Sequence, residues 1–179
     1  MGERPGRVRC ALCLLAVLLG GAAMPESGDA VAARADFLLK FARLVEWPAG
    51  AQPVPEEPLV VGVAGDEAAA QAISQALAGR MLDENPVVVR RVASAGDVAG
   101  CHIVFLTSER DEASILAAAR EHAALTVGES DGFAARGGVI NFYEEDEALR
   151  FEINSAAADR AGFAISSRLL RLAKLVGEP

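Results

Sequence analysis

The sequence predicts an α/β fold: a mostly parallel sheet with helices on both faces, and a C-terminal antiparallel β-hairpin followed by helices. Three observations carry this. Residues 59–63 (LVVGV) and 101–106 (CHIVFL) are short apolar runs of the kind that form strands buried on both faces. Stretches with apolar spacings of three and four separate such runs, as in βαβ units. Residues 137–154 (GGVINFYEEDEALRFEIN) hold two strand-like runs joined by four acids, the pattern of a hairpin.

The N-terminus reads as a targeting segment. Arg4, Arg7 and Arg9 form a positive region, residues 10–19 are apolar, and Gly21, Ala22 and Ala23 supply small residues for cleavage. A signal peptide over 1–23 is expected, with a cut after Ala30 as second choice and an uncleaved anchor as the competing reading. Cys10 and Cys13 fall at the start of the apolar run, which argues against a lipoprotein. Export to a bacterial periplasm is the localisation this predicts.

Residues 24–34 are small and polar and are expected to form a flexible N-terminus. A single α/β domain should then fill 35–179. Phe37, Leu38, Phe41, Leu44 and Val45 have helical spacing, so a helix is predicted over 35–47, stopped by Pro48. Residues 50–58 are a proline-rich connection. The strand at 59–63 turns at Gly65-Asp66 into a helix over 67–77. Residues 86–92 form the second strand, 94–100 a loop or short helix, and 101–106 the third strand. Thr107-Ser108 leads into a helix over 111–122, and 124–128 is a fourth strand. In the hairpin, Val139, Ile140, Phe142 and Tyr143 suit a pleated surface, whereas Glu144, Glu145, Asp146 and Glu147 must be solvated and turn the chain. Leu149, Phe151 and Ile153 alternate with Arg150, Glu152 and Asn154, giving one dry and one wet face. Asn154 is placed to N-cap a helix over 155–161, which Gly162 ends. Ser166 or Ser167 caps a last helix carrying Leu169, Leu172, Ala173 and Val176 as its apolar stripe.

The formal net charge of −8 disfavours nucleic-acid binding, which needs clustered Lys and Arg to neutralise phosphate. After cleavage only Cys101 remains, so no internal disulfide is expected; it reads as a small buried apolar residue, with a redox-sensitive or intermolecular thiol as the sharper alternative. His102 reads as a satisfied core residue and His122 as a helix end, and neither has a second ligand at metal spacing. No catalytic residue, metal or cofactor is expected. GVAGDE at 62–67 lacks the glycine spacing of a dinucleotide loop and reads as a plain turn. Trp47 is read as core packing ahead of ligand stacking. Glu152 and Asn154 on the wet face, with Arg136 and Arg160 nearby, could join carboxylate to guanidinium around a ligand, although a structural salt bridge weighs more. A small-molecule module, with a solute held at the strand ends near Gly65 and Ser108, is the second function class.

The segments 41–48 (FxxxVEWP), 58–66 (PLVVGVAGD), 100–109 (GCHIVFLTSE), 125–143 (LTVGESDGFAARGGVINFY) and 150–176 (RFEINSAAADRAGFAISSRLLRLAKLV) resemble, in order, those of the YfiR-like proteins. The block 126–176 is the most specific. The resemblance implies an exported α/β domain without enzymatic activity. It implies repression of an inner-membrane diguanylate cyclase of the YfiN type through its periplasmic sensor region, relief by an outer-membrane lipoprotein, and less cyclic-di-GMP signalling and biofilm formation. It also implies a homodimer, and binding positions at Trp47, Glu152, Asn154, Arg160, Ser166 and Ser167. Some members carry further cysteines in disulfides; with Cys101 alone, redox control by an internal bridge is not expected here.

Overall fold

The computed structural model describes residues 28–177; the expected signal segment over 1–23 lies outside them. Helix α1 spans Gly28–Leu44 and is followed by strand β1, Val45–Glu46. Then come β2 (Leu59–Ala64), α2 (Glu67–Leu77), β3 (Met81–Leu82) and β4 (Asn85–Arg91). A 3-10 turn at Ala95–Asp97 leads to β5 (Ile103–Leu106), α3 (Glu112–Glu121) and β6 (Leu125–Gly128). The C-terminal part contains β7 (Ile140–Glu145), β8 (Ala148–Asn154), α4 (Ser155–Arg160), β9 (Ala164–Ile165), α5 (Ser167–Leu170) and β10 (Lys174–Val176).

Eight strands form one sheet in the order β10-β8-β7-β6-β5-β2-β4-β3. β4, β2, β5, β6 and β7 run parallel, β8 returns antiparallel beside β7, and β10 runs parallel to β8. The fold is therefore the mostly parallel α/β sheet with a C-terminal hairpin that the apolar patterning predicts.

Two apolar layers hold the sheet. On one face, α1 sets Phe37 and Phe41 against Phe142 and Phe151 of the hairpin, with ring centroids 5.1–5.9 Å apart. Buried aromatic pairs at this spacing add about 0.5–1.5 kcal/mol each beyond the area they bury. On the other face, Ile115 and Ala119 of α3 cover Val104 and Leu106 together with Phe133. Helix α2 starts where the Asp66 carboxylate accepts the Ala69 N–H at 2.8 Å, and it buries Ala70, Ile73 and Leu77.

Five departures from the sequence reading have physical causes. The 24–34 segment is not a flexible lead throughout: α1 begins at Gly28, because Val31 and Arg34 extend the stripe that buries Ala35 and Leu38. The helix stops at Leu44 rather than Trp47, since Val45 and Glu46 pair antiparallel with Ile165 and Ala164. The final helix is only Ser167–Leu170, capped by Ser166, whose hydroxyl accepts the Leu169 N–H. Lys174–Val176 is instead a strand, because β8 offers a free ladder on its outer side. Finally β3, too short to show in a periodicity, pairs with the start of β4.

The hairpin tip is a two-residue turn: Glu145 pairs with Ala148, and Asp146 and Glu147 lie at φ 51 and 59°. Two positive φ values define a type I′ turn, which Asn-Gly fits best. Replacing Asp146-Glu147 by Asn-Gly should stabilise the protein by about 1 kcal/mol. A urea midpoint that stays put or falls would contradict that geometry.

Candidate functional site

A groove of about 320 Å³ lies between α3 and α4, above the beginnings of β6 and β7. Its walls are small and apolar, with Ala113, Ala117, Ala157 and Ala161 facing one another and Leu116 and Val139 between them. Three arginines reach it: Arg120 from the last turn of α3, Arg136 from the loop after β6, and Arg160 from the end of α4.

Arg136 is held firmly. Its Nε donates to Glu112 Oε1 at 2.6 Å and Nη2 to Glu112 Oε2 at 2.9 Å, a bidentate pair. Nη2 also donates to Ser130 Oγ at 2.9 Å. Glu112 is buried, and its hydrogen bonds push the Arg136 pKa above the ordinary arginine value, against the opposing effect of burial. A comparable pair, Arg34 Nε to Glu129 Oε2 at 2.8 Å, ties α1 to the end of β6. Sequence reasoning missed both Glu112 and Arg34. The available signal was a charged residue within an otherwise buried helical stripe, as at Arg34 among Val31, Ala35 and Leu38.

The glycine pair beside the groove has two separate jobs. Gly137 sits at φ 106°, a conformation strained for other residues. Gly138 makes room, since a Cβ there would lie 2.0 Å from the Phe133 ring.

The six positions singled out from the sequence separate. Trp47 is half-buried; its Nε1–H donates to the Ala42 carbonyl at 3.2 Å and its ring lies edge-on to Phe163. Glu152 lies on β8 opposite Asn141, accepts from Asn141 Nδ2 at 3.3 Å and sits 3.7 Å from Lys174 Nζ. Asn154 is fully buried, accepts the Ala157 N–H at 2.9 Å and donates to the Ala134 carbonyl at 2.7 Å. Ser166 caps α5, and Ser167 accepts from Arg171 at 3.5 Å. Only Arg160 reaches the groove. The anticipated meeting of Glu152 with Arg136 does not occur: Arg136 turns to Glu112, and Glu152 to Lys174. Asn141, unremarked in the sequence, is buried with its Oδ1 unpartnered among the described residues.

At the parallel strand ends the Gly65 backbone is closely approached by a neighbouring side chain. A Cβ on Gly65 would lie 2.0 Å from Thr107 Oγ1, so glycine is required there for Thr107 to pack against the turn. Cys101 is a buried free thiol, and Arg90 Nη2 donates to its sulfur at 3.0 Å.

His102 is half-buried and its Nδ1 accepts the Val60 N–H at 3.1 Å. Burial lowers its pKa below the ordinary histidine value, with the Glu57 charge opposing. A depressed histidine pKa means that the unfolded chain takes up the proton first. Its contribution to stability is therefore complete above the unfolded value, about 6.5, and is lost as pH falls toward the folded value. The melting temperature is expected to fall between pH 7.5 and 5.5, and to fall less in His102→Gln, whose amide oxygen can also accept from Val60. Parallel pH profiles for the two proteins would count against this.

A family model described as YfiR/HmsC-like matches residues 31–174. No curated protein matches the chain. Among solved structures, a conserved domain protein from Vibrio cholerae O1 biovar El Tor str. N16961 aligns with a TM-score of 0.57 at 12% identity, over 83% of this chain and 60% of that one. The ABC domain from Streptococcus pneumonia, solved in complex with L-Trp, aligns with a TM-score of 0.56 at 8% identity, over 82% of this chain and 60% of that one. This chain thus spans about 60% of the length of either, and at such identities the likeness concerns the fold alone.

Proposed function

The chain belongs to the YfiR/HmsC-like family, and on that premise we propose that it is an exported, periplasmic regulator that represses a membrane-bound diguanylate cyclase through the enzyme's periplasmic sensor region. Its output is lower cyclic-di-GMP signalling and less biofilm. An outer-membrane lipoprotein that competes for it would relieve the repression, and self-association as a homodimer belongs to the same reading. The family match over 31–174 carries the proposal. The chemistry of the groove agrees with it: a guanidinium stays protonated throughout the working pH range, so the arginines there bind and orient but do not exchange protons. The role proposed is contact, not turnover.

The test is direct. The processed protein, recovered from the periplasm, should bind the isolated periplasmic domain of the cyclase from the same cell at micromolar or lower concentration in a calorimeter. Deleting its gene should raise cyclic-di-GMP. Absence of binding, together with unchanged cyclic-di-GMP, would reject the proposal.

The groove favours one second reading, a small-molecule module. Alanine walls with guanidinium groups from Arg120 and Arg160 suit a ligand with an apolar body and a carboxylate or phosphate, while Arg136 is held by Glu112. The L-Trp complex of the streptococcal domain offers a probe of that chemistry. A ligand of the native state raises the melting temperature, and Arg120→Gln should remove the rise. No shift across amphipathic anions would set this reading aside.

A further inference from the structure

The proline-rich connection at 48–58 leaves the fold at Trp47 and returns at β2, and one imidazole touches both of its ends. At the returning end, His102 Nδ1 accepts the Val60 N–H at 3.1 Å, while the His102 main-chain N–H donates to the Val60 carbonyl at 2.9 Å. Both backbone groups of Val60 thus depend on this one residue, which stands just before β5. At the leaving end, the Trp47 ring is edge-on to the imidazole, with centroids 6.1 Å apart, and also edge-on to Phe163. Between the ends, Asn85 Nδ2 donates to the carbonyls of Val54 and Glu57 and moors the middle of the connection to β4. The donor at Val60 is a peptide N–H, so Nδ1 has to carry a lone pair and the ring has to be neutral. His102 is only half-buried, so solvent protons reach it. Glu57 faces it from the connection. The residues that meet it from the end of β1, from β2 and from β6 are Trp47, Val60 and Leu125, and none of them carries a charge.

We infer that His102 is a proton-operated clasp on the 48–58 connection: the neutral ring closes both ends against the sheet, and a proton taken from solvent onto Nδ1 opens them. The added proton turns the acceptor into a donor, so two N–H groups then point at one another where a hydrogen bond was. The imidazolium has to turn away from Val60, and in turning it leaves the Trp47 ring without its edge contact. Histidine is the side chain whose charge changes between about pH 5 and 8. Burial holds the His102 pKa below the ordinary histidine value, with the Glu57 charge working against that. The clasp is therefore shut at neutral pH and opens on acidification. Opening stays local, because the bonds from Asn85 do not titrate and β2 keeps its pairing with β4 and, from Val61 onward, with β5. Only the location comes from the periplasmic reading: an exported protein meets the acidity of the medium.

The test uses the processed protein recovered from the periplasm. Trp47 is the sole tryptophan, so its emission reports on this end of the molecule. Between pH 7.5 and 5 the emission should change in one step, with a midpoint below about 6.5 that matches the His102 ring titration followed by NMR. From one pH unit above that midpoint to one below, the Val60 amide should lose protection against hydrogen exchange by about tenfold. Val104, inside β5, should keep its protection, and the far-UV circular dichroism should stay constant. His102→Gln, whose amide oxygen accepts from Val60 without titrating, should abolish both changes. Glu57→Gln, at an exposed position, removes a charge that favours the imidazolium and should move the midpoint to lower pH. His122→Gln, at the exposed end of α3, should alter neither change. No step in emission, a step that survives His102→Gln, a midpoint that rises in Glu57→Gln, or a Val60 amide still protected once the His102 ring is protonated overturns the inference. So does a step that coincides with loss of the far-UV signal, which would make it global unfolding. Cyclase binding is read in a separate assay, so its failure leaves these titrations as they are and the two readings fall independently.

Discussion

Asn154→Ala is expected to destabilise the protein by about 3 kcal/mol. Asn154 has no exposed surface, and its amide serves two backbone groups at once. Its oxygen accepts the Ala157 N–H at the start of α4, and loss of such a cap costs about 0.5–2 kcal/mol. Its nitrogen donates to the Ala134 carbonyl, and a buried carbonyl left without a donor costs about 1–3 kcal/mol more. Serine separates the two parts, because its hydroxyl caps the helix but does not reach Ala134; roughly half the loss should return. Aspartate keeps the acceptor and buries a charge without the donor, so it should rescue less than serine. Equilibrium denaturation of the three variants checks the order. An Asn154→Ala protein as stable as wild type but weaker toward its partner would show instead that this residue works by contact.

That expectation marks how far the sequence could be read. The cap at Asn154 depends on local chemistry and was visible as a polar residue between a strand and a helical run. The donation to Ala134 joins residues the chain brings together only by folding, and was not. The same division holds elsewhere. β2 and β5 show in the sequence because strands buried on both faces leave an unbroken apolar run. The hairpin shows because β8 has one dry face and therefore alternates. At 167–176 the spacing of Leu169, Leu172, Ala173 and Val176 fits a helix, yet Lys174–Val176 is a strand, because the vacant side of β8 decides it. A preference set by a partner strand has no local signature. The groove was legible at Arg136 and Arg160. Arg136 was read as a guanidinium seeking a carboxylate on the hairpin, but its partner Glu112 lies on α3, and Arg120 belongs to the far wall.

Phe133 and Gly138 should prove strongly coupled. Phe133 is fully buried, and its ring lies where Cβ atoms on both Gly128 and Gly138 would go, 2.4 and 2.0 Å from ring carbons. Gly128 on β6 and the loop carrying Gly138 into β7 are held together, because β6 and β7 are paired through Val127 and Ile140. Phe133→Ala opens a cavity and is expected to cost about 3–5 kcal/mol. Gly138→Ala drives a methyl into the ring and should cost about 3 kcal/mol, the upper end for overpacking. In the Phe133→Ala background the obstacle is gone. Gly138 lies outside the left-handed region, so the same substitution should there be neutral or stabilise by about 0.4–1 kcal/mol through reduced freedom of the unfolded chain. The two changes together are then less harmful than their sum by several kcal/mol, beyond the usual range for neighbours. Gly137→Ala provides the contrast. Nothing lies within 4 Å of its Cβ position, but its φ of 106° strains any other residue. It should cost about 1–2 kcal/mol in either background. A double-mutant cycle that finds Phe133 additive with Gly138, or coupled to Gly137, would mean that the loop does not thread beneath that ring.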